Sequence, residues 1–341
     1  MRQAPPPLDW NALRDLRDRF LSAEPISQPY WISREQLDAY DATLGERIGW
    51  KWDAVLAELA ARGWKPPSDT LCDFGCGSGI AARRVLGFWP DHFRAVTLWD
   101  TSSIAMAYAR EMIQREFPGV RITLAPSAPQ VSGVGLVSHV LTELGPEDRD
   151  RILEPLRSAR ALLWVEPGTK EASQRLVAVR ETLRDRFVPV APCTHTTTCP
   201  MLQPENAAHW CHHFAPAPRG THQDPFWGHF RRELNLDIGP VAYSFLVLDR
   251  QPRLDEGLAH LIGHPLRSPK FLRVLSCDAS GLHDRVCSRR SGAIYRPLKN
   301  AVSPALYRFE LRKNRIVGGS WIPNGDPGAE DDGPDDPAVA D

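Results

Sequence analysis

The run Asp73-Phe-Gly75-Cys-Gly77-Ser-Gly79-Ile constrains this chain more than any other feature. It follows Leu71-Cys-Asp-Phe, which reads as a strand, and it opens a helical stretch. Three glycines at alternate positions let the backbone turn tightly off a strand and bring helix N-terminal amides close to a ligand. Such a turn belongs to a strand–turn–helix unit. Further apolar runs continue the theme: Arg94-Ala-Val-Thr-Leu-Trp, Gly135-Leu-Val-Ser-His-Val and Ala161-Leu-Leu-Trp-Val, with helical stretches between them. Alternation of this kind predicts an α/β domain with a parallel sheet covered on both faces.

The glycine spacing is G-x-G-x-G, not the G-x-G-x-x-G of dinucleotide dehydrogenases. Asp73 stands just before the first glycine, and Asp100 ends the next strand, 21 residues after Gly79. This pattern resembles the Rossmann-like methyltransferases that bind S-adenosylmethionine. The resemblance implies that Gly75, Gly77 and Gly79 wrap the methionine part of the cofactor, with Asp73 beside them, and that Asp100 holds the ribose hydroxyls. Catalysis is less legible. After the fourth strand the chain reads Ser138-His139-Val-Leu-Thr142-Glu143. It lacks both the Asn/Asp-Pro-Pro-aromatic motif of amino-methylating enzymes and the Pro-Cys nucleophile of cytosine-carbon methylation. His139 and Glu143 are the acid/base candidates, and the turn Glu166-Pro-Gly-Thr lies at the sheet edge where ligands sit.

Residues 189–225 are rich in Pro, His, Thr and Cys and show no periodicity, so something other than an apolar core must order them. Three of the 7 cysteines fall here, as Cys193-Thr-His-Thr-Thr-Thr-Cys199-Pro and Trp210-Cys211-His-His. Grouped thiols without a secretory signal point to metal rather than disulfides. Cys277 and Cys287 are the candidates for a fourth ligand. Four widely spaced thiolates suit a [4Fe–4S] cluster, whereas His195, His209, His212 and His213 keep a Cys₃His zinc site open.

The formal net charge of −1 hides a split. Residues 251–315 carry 13 Lys/Arg against 5 Asp/Glu, a surplus of +8, while residues 316–341 carry 7 acidic and no basic residues. A basic surface suggests a polyanionic partner such as RNA, with Arg285, Arg289, Arg290, Arg296 and Lys299 placed to track phosphates. No apolar run approaches a membrane span or a signal peptide, and the expected location is cytoplasmic. The sequence sets no oligomeric state. The expected organisation is a helical N-terminal preface over 1–66, with Trp10, Leu13 and Leu16 on one face, then a Rossmann-like domain over 67–250 that contains the cysteine-rich insertion. A small basic β extension over 251–318 follows, with strands at Phe271-Leu-Arg-Val-Leu-Ser, Ala293-Ile-Tyr-Arg-Pro-Leu and Leu306-Tyr-Arg-Phe-Glu-Leu. A disordered acidic tail over 319–341 ends the chain.

Several segments together carry a narrower resemblance. They are Tyr30-Trp-Ile-Ser, Tyr40-Asp-Ala-Thr-Leu-Gly-Glu-Arg-Ile-Gly-Trp-Lys-Trp, the glycine loop, Val165-Glu-Pro-Gly-Thr, Pro192-Cys-Thr-His-Thr-Thr-Thr-Cys-Pro and Trp210-Cys-His-His. Over about Tyr30 to Lys299 the chain resembles the methyltransferase-like proteins associated with assembly of the mitochondrial small ribosomal subunit, and their bacterial relatives. The resemblance implies S-adenosylmethionine binding, a [4Fe–4S] cluster on Cys193, Cys199, Cys211 and Cys277, and contact with small-subunit rRNA. One departure is Cys193-Thr-His195, where the family usually reads Cys-Pro-His. Methyl transfer to RNA, protein or a small molecule, with a structural zinc instead of the cluster, is the competing expectation. A redox- or iron-sensing RNA-binding protein is a third.

Overall fold

The computed structural model describes residues 8–21, 31–145, 148–251, 257–301 and 305–322. Tyr30 and the acidic tail from residue 323 onward fall outside them. Amphipathic helices α1 (Trp10–Leu21), α2 (Arg34–Tyr40) and α3 (Glu46–Ala61) form the preface, the last two joined by a π-helical turn, Asp41–Gly45. Ser33 caps α2 by accepting from the Gln36 amide. Leu13, Leu16, Leu37, Trp50, Trp52 and Leu56 are buried, so the preface is part of the main core.

The sheet is built from β1 (Thr70–Phe74), β2 (Ala95–Trp99), β3 (Arg121–Leu124), β4 (Val134–Ser138), β5 (Ala161–Pro167), β6 (Val188–Ala191), β7 (His213–Ala215) and β8 (Val241–Asp249). Its order is β3-β2-β1-β4-β5-β8-β6, with β7 also on β8. The first five strands are parallel; β8 runs antiparallel to β5, β6 and β7. The expected all-parallel sheet is therefore corrected to a mixed one, in the Rossmann-like methyltransferase architecture. Helices α4 (Ile80–Phe88), α5 (Ser103–Glu116) and α8 (Pro225–Leu234) cover one face together with α3, while α6 (Asp148–Leu156) and α7 (Lys170–Thr182) cover the other. Along β5, Leu163 and Val165 enter the first core, and Leu162 and Trp164 the second. The period of two, buried on both sides, is why the strand reads as a continuous apolar run.

The C-terminal extension is a closed five-stranded barrel. Its strands are β9 (Ala259–Arg267), β10 (Phe271–Asp278), β11 (Gly281–Ser288), β12 (Leu306–Arg312) and β13 (Arg315–Ile322), in the order β10-β11-β13-β12-β9. Two expectations are corrected here. Residues 293–298 are not a strand: they fall in a 3-10 turn, Arg289–Ile294, which a reciprocal Ser288–Ser291 capping box starts, and the short helix α9 (Tyr295–Lys299) that follows it. Ile294 and Leu298, four apart, then enter the barrel core beside Leu261, Leu272, Val274, Cys287, Tyr307 and Ile316. The boundary at 318 is also displaced, because β13 continues to Ile322. Among the described residues no helix is long and apolar enough to cross a membrane.

Candidate cofactor and metal sites

The glycine loop leaves β1 by a turn in which the Gly75 and Cys76 amides donate to the Trp99 carbonyl, at 2.8 and 3.0 Å. Gly75, Gly77 and Gly79 have φ of +80°, +49° and +77°. A Cβ on Gly75 would stand 2.6 Å from Val140 Cγ2, and one on Gly79 would stand 2.9 Å from Ala109 Cβ; one on Gly77 would meet nothing within 4 Å. Two glycines thus serve packing, and the middle one leaves an open backbone face. Asp100 is fixed against the loop, accepting from the Gly77 amide through Oδ2 and from the Ser102 amide through Oδ1, each at 2.9 Å. Asp73 is fully buried; its Oδ2 accepts from the Ala82 amide at 3.3 Å, while Oδ1 has no partner. Burial raises its carboxyl to about 7. An open glycine face beside a buried, unsatisfied acceptor fits a ligand that carries hydrogen-bond donors. Cys72 and Cys76 are buried packing residues.

At the carboxyl ends of β4 and β5, His139 takes a left-handed φ of +59°, and its Nε2 lies 3.1 Å from Lys51 Nζ. Lys51 comes from α3 and is only 6% exposed; burial and the Arg47 charge bring its ammonium down to about 7. Burial, then the Lys51 charge, holds His139 well below the ordinary imidazole range. Glu166 Oε1 accepts from the Val140 and Leu141 amides and from Trp164 Nε1, at 3.1, 3.0 and 2.7 Å. Glu166 therefore braces the turn after β4. Glu143 is half-buried in the 3-10 turn Leu141–Glu143. Lys51 was not distinguishable in the sequence, since a single lysine on an apolar helix has no spacing signature.

The cysteine-rich segment enters the main core through Val190, Ala191 and Ala215, and polar contacts order the stretch between them. Arg62, the residue that caps the C-terminus of α3, is ion-paired with Glu58 at 2.5 Å and donates to the carbonyls of Val190, Pro192 and Cys193. Arg180 of α7 donates to the carbonyls of His195 and Thr197, and Glu181 accepts from the Cys199 amide. Ser173 and Ser244 both donate to the Cys211 carbonyl, and Trp210 Nε1 to Gly168 O. These anchors bring Cys193, Cys199 and Cys211 to one locus, where Cys277 of β10 joins them: burial and then the charges of the other three raise the Cys211 thiol. Burial, then the neighbouring Cys193, pushes Cys199 up to about 12. Buried thiols pressed together resist ionisation unless a cation shares the locus, so this donor set fits a metal centre. Cys287 instead faces the barrel interior and is fully buried there.

Among the described residues, one group of three or more candidate ligand atoms lies within 4.8 Å of one another: Cys211, His213 and His260. No three of the four thiols close to that spacing. A single zinc ion, with bonds of about 2.3 Å, would hold its thiolates roughly 3.8 Å apart. His195 Nε2 lies 3.6 Å from Cys277 Sγ, and His213 Nε2 lies 3.7 Å from Cys211 Sγ. His260 is 1% exposed, neither of its ring nitrogens has a partner, and burial and Arg62 bring it down to about 3. His209 is exposed and His212 stacks on Trp210, so neither joins the thiols. His260 carried no sequence signal, being a lone histidine on a strand. Of the expected phosphate-tracking cations, Arg289, Arg290, Arg296 and Lys299 are exposed. Arg285 is not: it is 4% exposed, donates to Asp278 and Ser276, and lies over the Phe309 ring.

Comparison with known proteins follows the same lines. The chain is similar to mitomycin 7-O-methyltransferase MmcR, at 19% identity over 55% of this chain and 66% of that one, with a TM-score of 0.36. It is also similar to the plantazolicin methyltransferase BamL, at 9% identity over 71% of this chain and 99% of that one, with a TM-score of 0.39. At such scores the fold assignment rests on the strand order itself. Among curated proteins it is 28% identical over 168 residues to the human mitochondrial ribosome assembly protein METTL17. That match spans 42% of this chain but only 37% of the length of the relative. The profile of the family described as mitochondrial small ribosomal subunit Rsm22 matches residues 47–303, three-quarters of the 341, and the chain belongs to that family.

Proposed function

We propose that this chain is an S-adenosylmethionine-binding, [4Fe–4S]-carrying, methyltransferase-like protein that acts in small ribosomal subunit assembly by binding rRNA. The observation that carries the reading is the locus where Cys193, Cys199, Cys211 and Cys277 meet between the methyltransferase-type sheet and the barrel, Cys199 and Cys277 buried and Cys193 and Cys211 half-buried. Gly75, Gly77 and Gly79 would cradle the cofactor, with Asp100 at its ribose and Asp73 Oδ1 offering a buried acceptor. Cys193, Cys199, Cys211 and Cys277 would hold the cluster, which supplies a compact cationic iron core to four thiolates. His195 and His213 present ring nitrogens to two of the sulfurs, and such contacts orient ligand sulfurs and set their basicity. Methyl transfer has less support, because the Lys51–His139–Glu166 group is buried and engaged with itself and with backbone.

The test is the iron, zinc and acid-labile sulfide content and the visible spectrum of protein purified without oxygen, with Cys199→Ser and Cys277→Ser beside it. About four irons and four sulfides per chain, lost in both variants, are expected. A second reading, a methyltransferase with a structural zinc, is favoured by the Cys211–His213–His260 spacing. Zinc without sulfide, lost on His260→Ala, would replace the first reading with the second.

A further inference from the structure

The barrel has a specific connectivity. Counting its strands from β9 as one to five, the closed order is 1-2-3-5-4, with strand five back-to-back in parallel with strand three and strand four closing antiparallel on strand one. The helix α9 lies between strands three and four and fills the barrel end. This is the topology of the oligonucleotide/oligosaccharide-binding fold, whose ligands lie across strands two and three between the loops that join strands one–two and four–five.

Both loops here are basic. The first runs through Arg267 and Lys270; the second is the hairpin turn Lys313-Asn314, flanked by Arg312 and Arg315, with Lys313 at φ +56°. Strand register lines up one row across four strands: Leu266, Arg273, Val286 and Arg315 are consecutive cross-strand neighbours. Leu266 is 65% exposed, Arg273 and Arg315 are exposed, and Val286 is half-buried. Phe271, two residues before Arg273 and half-buried, shares their side of β10. The second loop is pinned to this face, since Asn314 O accepts from the Val286 amide and Asn314 Nδ2 donates to Asp284 O.

We infer that this outer face of the barrel binds single-stranded RNA. The inference rests on the rRNA reading above and assigns it a place. Cations on both flanks neutralise phosphates, and an aromatic and aliphatic floor between them accepts base faces. The net positive charge of residues 251–315 selects a polyanion over a neutral saccharide. Cys277 sits farther along β10 on the same side as Arg273, so the RNA face and the thiol locus share one strand.

The test is fluorescence anisotropy of the full chain with a labelled uridine oligonucleotide of about 12 residues. A duplex of the same length serves as comparator, and small-subunit association of the same proteins is measured in parallel. Expected are tighter binding to the single strand and weakening with salt. Lys313→Glu/Arg315→Glu should weaken binding more than tenfold, and Phe271→Ala about tenfold. Arg231→Glu/Arg232→Glu, the same charge change on α8, should leave it within about twofold. Thermal unfolding of each variant confirms folding. Equal weakening by both charge reversals, or unchanged binding in the barrel variants, overturns the inference even if the wild type associates with the subunit. Oligonucleotide binding lost only in the barrel variants, with no subunit association by the wild type, sustains the inference and removes the ribosomal reading instead.

Discussion

The residues that could be read from sequence are those whose chemistry demands a pattern. Gly75, Gly77, Gly79 and Asp100 announce themselves because a tight turn, a close approach and a strand-end acid recur at fixed spacing. Lys51 and His260 do not, because burial alone makes them unusual, and burial belongs to the tertiary structure. Asp73 lies between the two cases: its position was legible and its protonation was not. In the folded chain its carboxyl is raised by burial to about 7, from an ordinary 3.8. The folded state therefore keeps a proton that the unfolded state releases between these values. The stability contributed by this group is present below about pH 4 and lost as pH rises through 7. Asn carries no such proton. The stability of Asp73→Asn relative to wild type, from urea unfolding without added cofactor, should rise across that window by up to about 4 kcal/mol. Parallel pH profiles would show that the carboxylate stays ionised in the fold.

Among the elements, β1, β2, β4 and β5 were legible because each is a short apolar run. β9, β11 and β13 were not. Gly263 and Pro265 interrupt β9, and β11 alternates polar residues against a small barrel core. The 3-10 turn and α9 were misread as a strand because Ile294, Tyr295 and Leu298 look β-forming until the Ser288–Ser291 box is seen. The cysteine-rich segment is ordered by α7, and Arg180 is the lever. It is 2% exposed, pairs with Glu181 and donates to two carbonyls of the segment. Arg180→Met keeps the length and removes the donors, leaving those carbonyls without them while Glu181 keeps Arg184 and the Cys199 amide, a local cost of about 3 kcal/mol. Amide hydrogen exchange over residues 194–199 should then quicken roughly a hundredfold, while β4 and β5 keep their protection. Uniform acceleration across the sheet would mean that the segment is not a separate unit of stability.

At the scale of the whole molecule, three thiols come from the sheet side and one from the barrel, so the proposed metal, held by all four, would tie the two bodies together. Other ties exist. The Gly263 amide donates to His212 O at 2.9 Å, Phe214 stacks on His264 at 4.0 Å, and His213 lies beside His260. These are few and local, so the metal should dominate the coupling. Cys277→Ser and Cys287→Ser separate this role from ordinary packing, since both cysteines lie in the barrel and only Cys277 faces the other thiols. Cys277→Ser should lose the metal and split one cooperative calorimetric transition into two, the barrel melting first. Cys287→Ser puts a hydroxyl into an apolar core, costing about 1–3 kcal/mol, yet should keep both the metal and the single transition. If the two variants melted alike with metal retained in both, the thiol locus would not join the bodies, and the barrel would be held by its other contacts, among them β7 with β9 and the Pro200–Leu202 turn with β11.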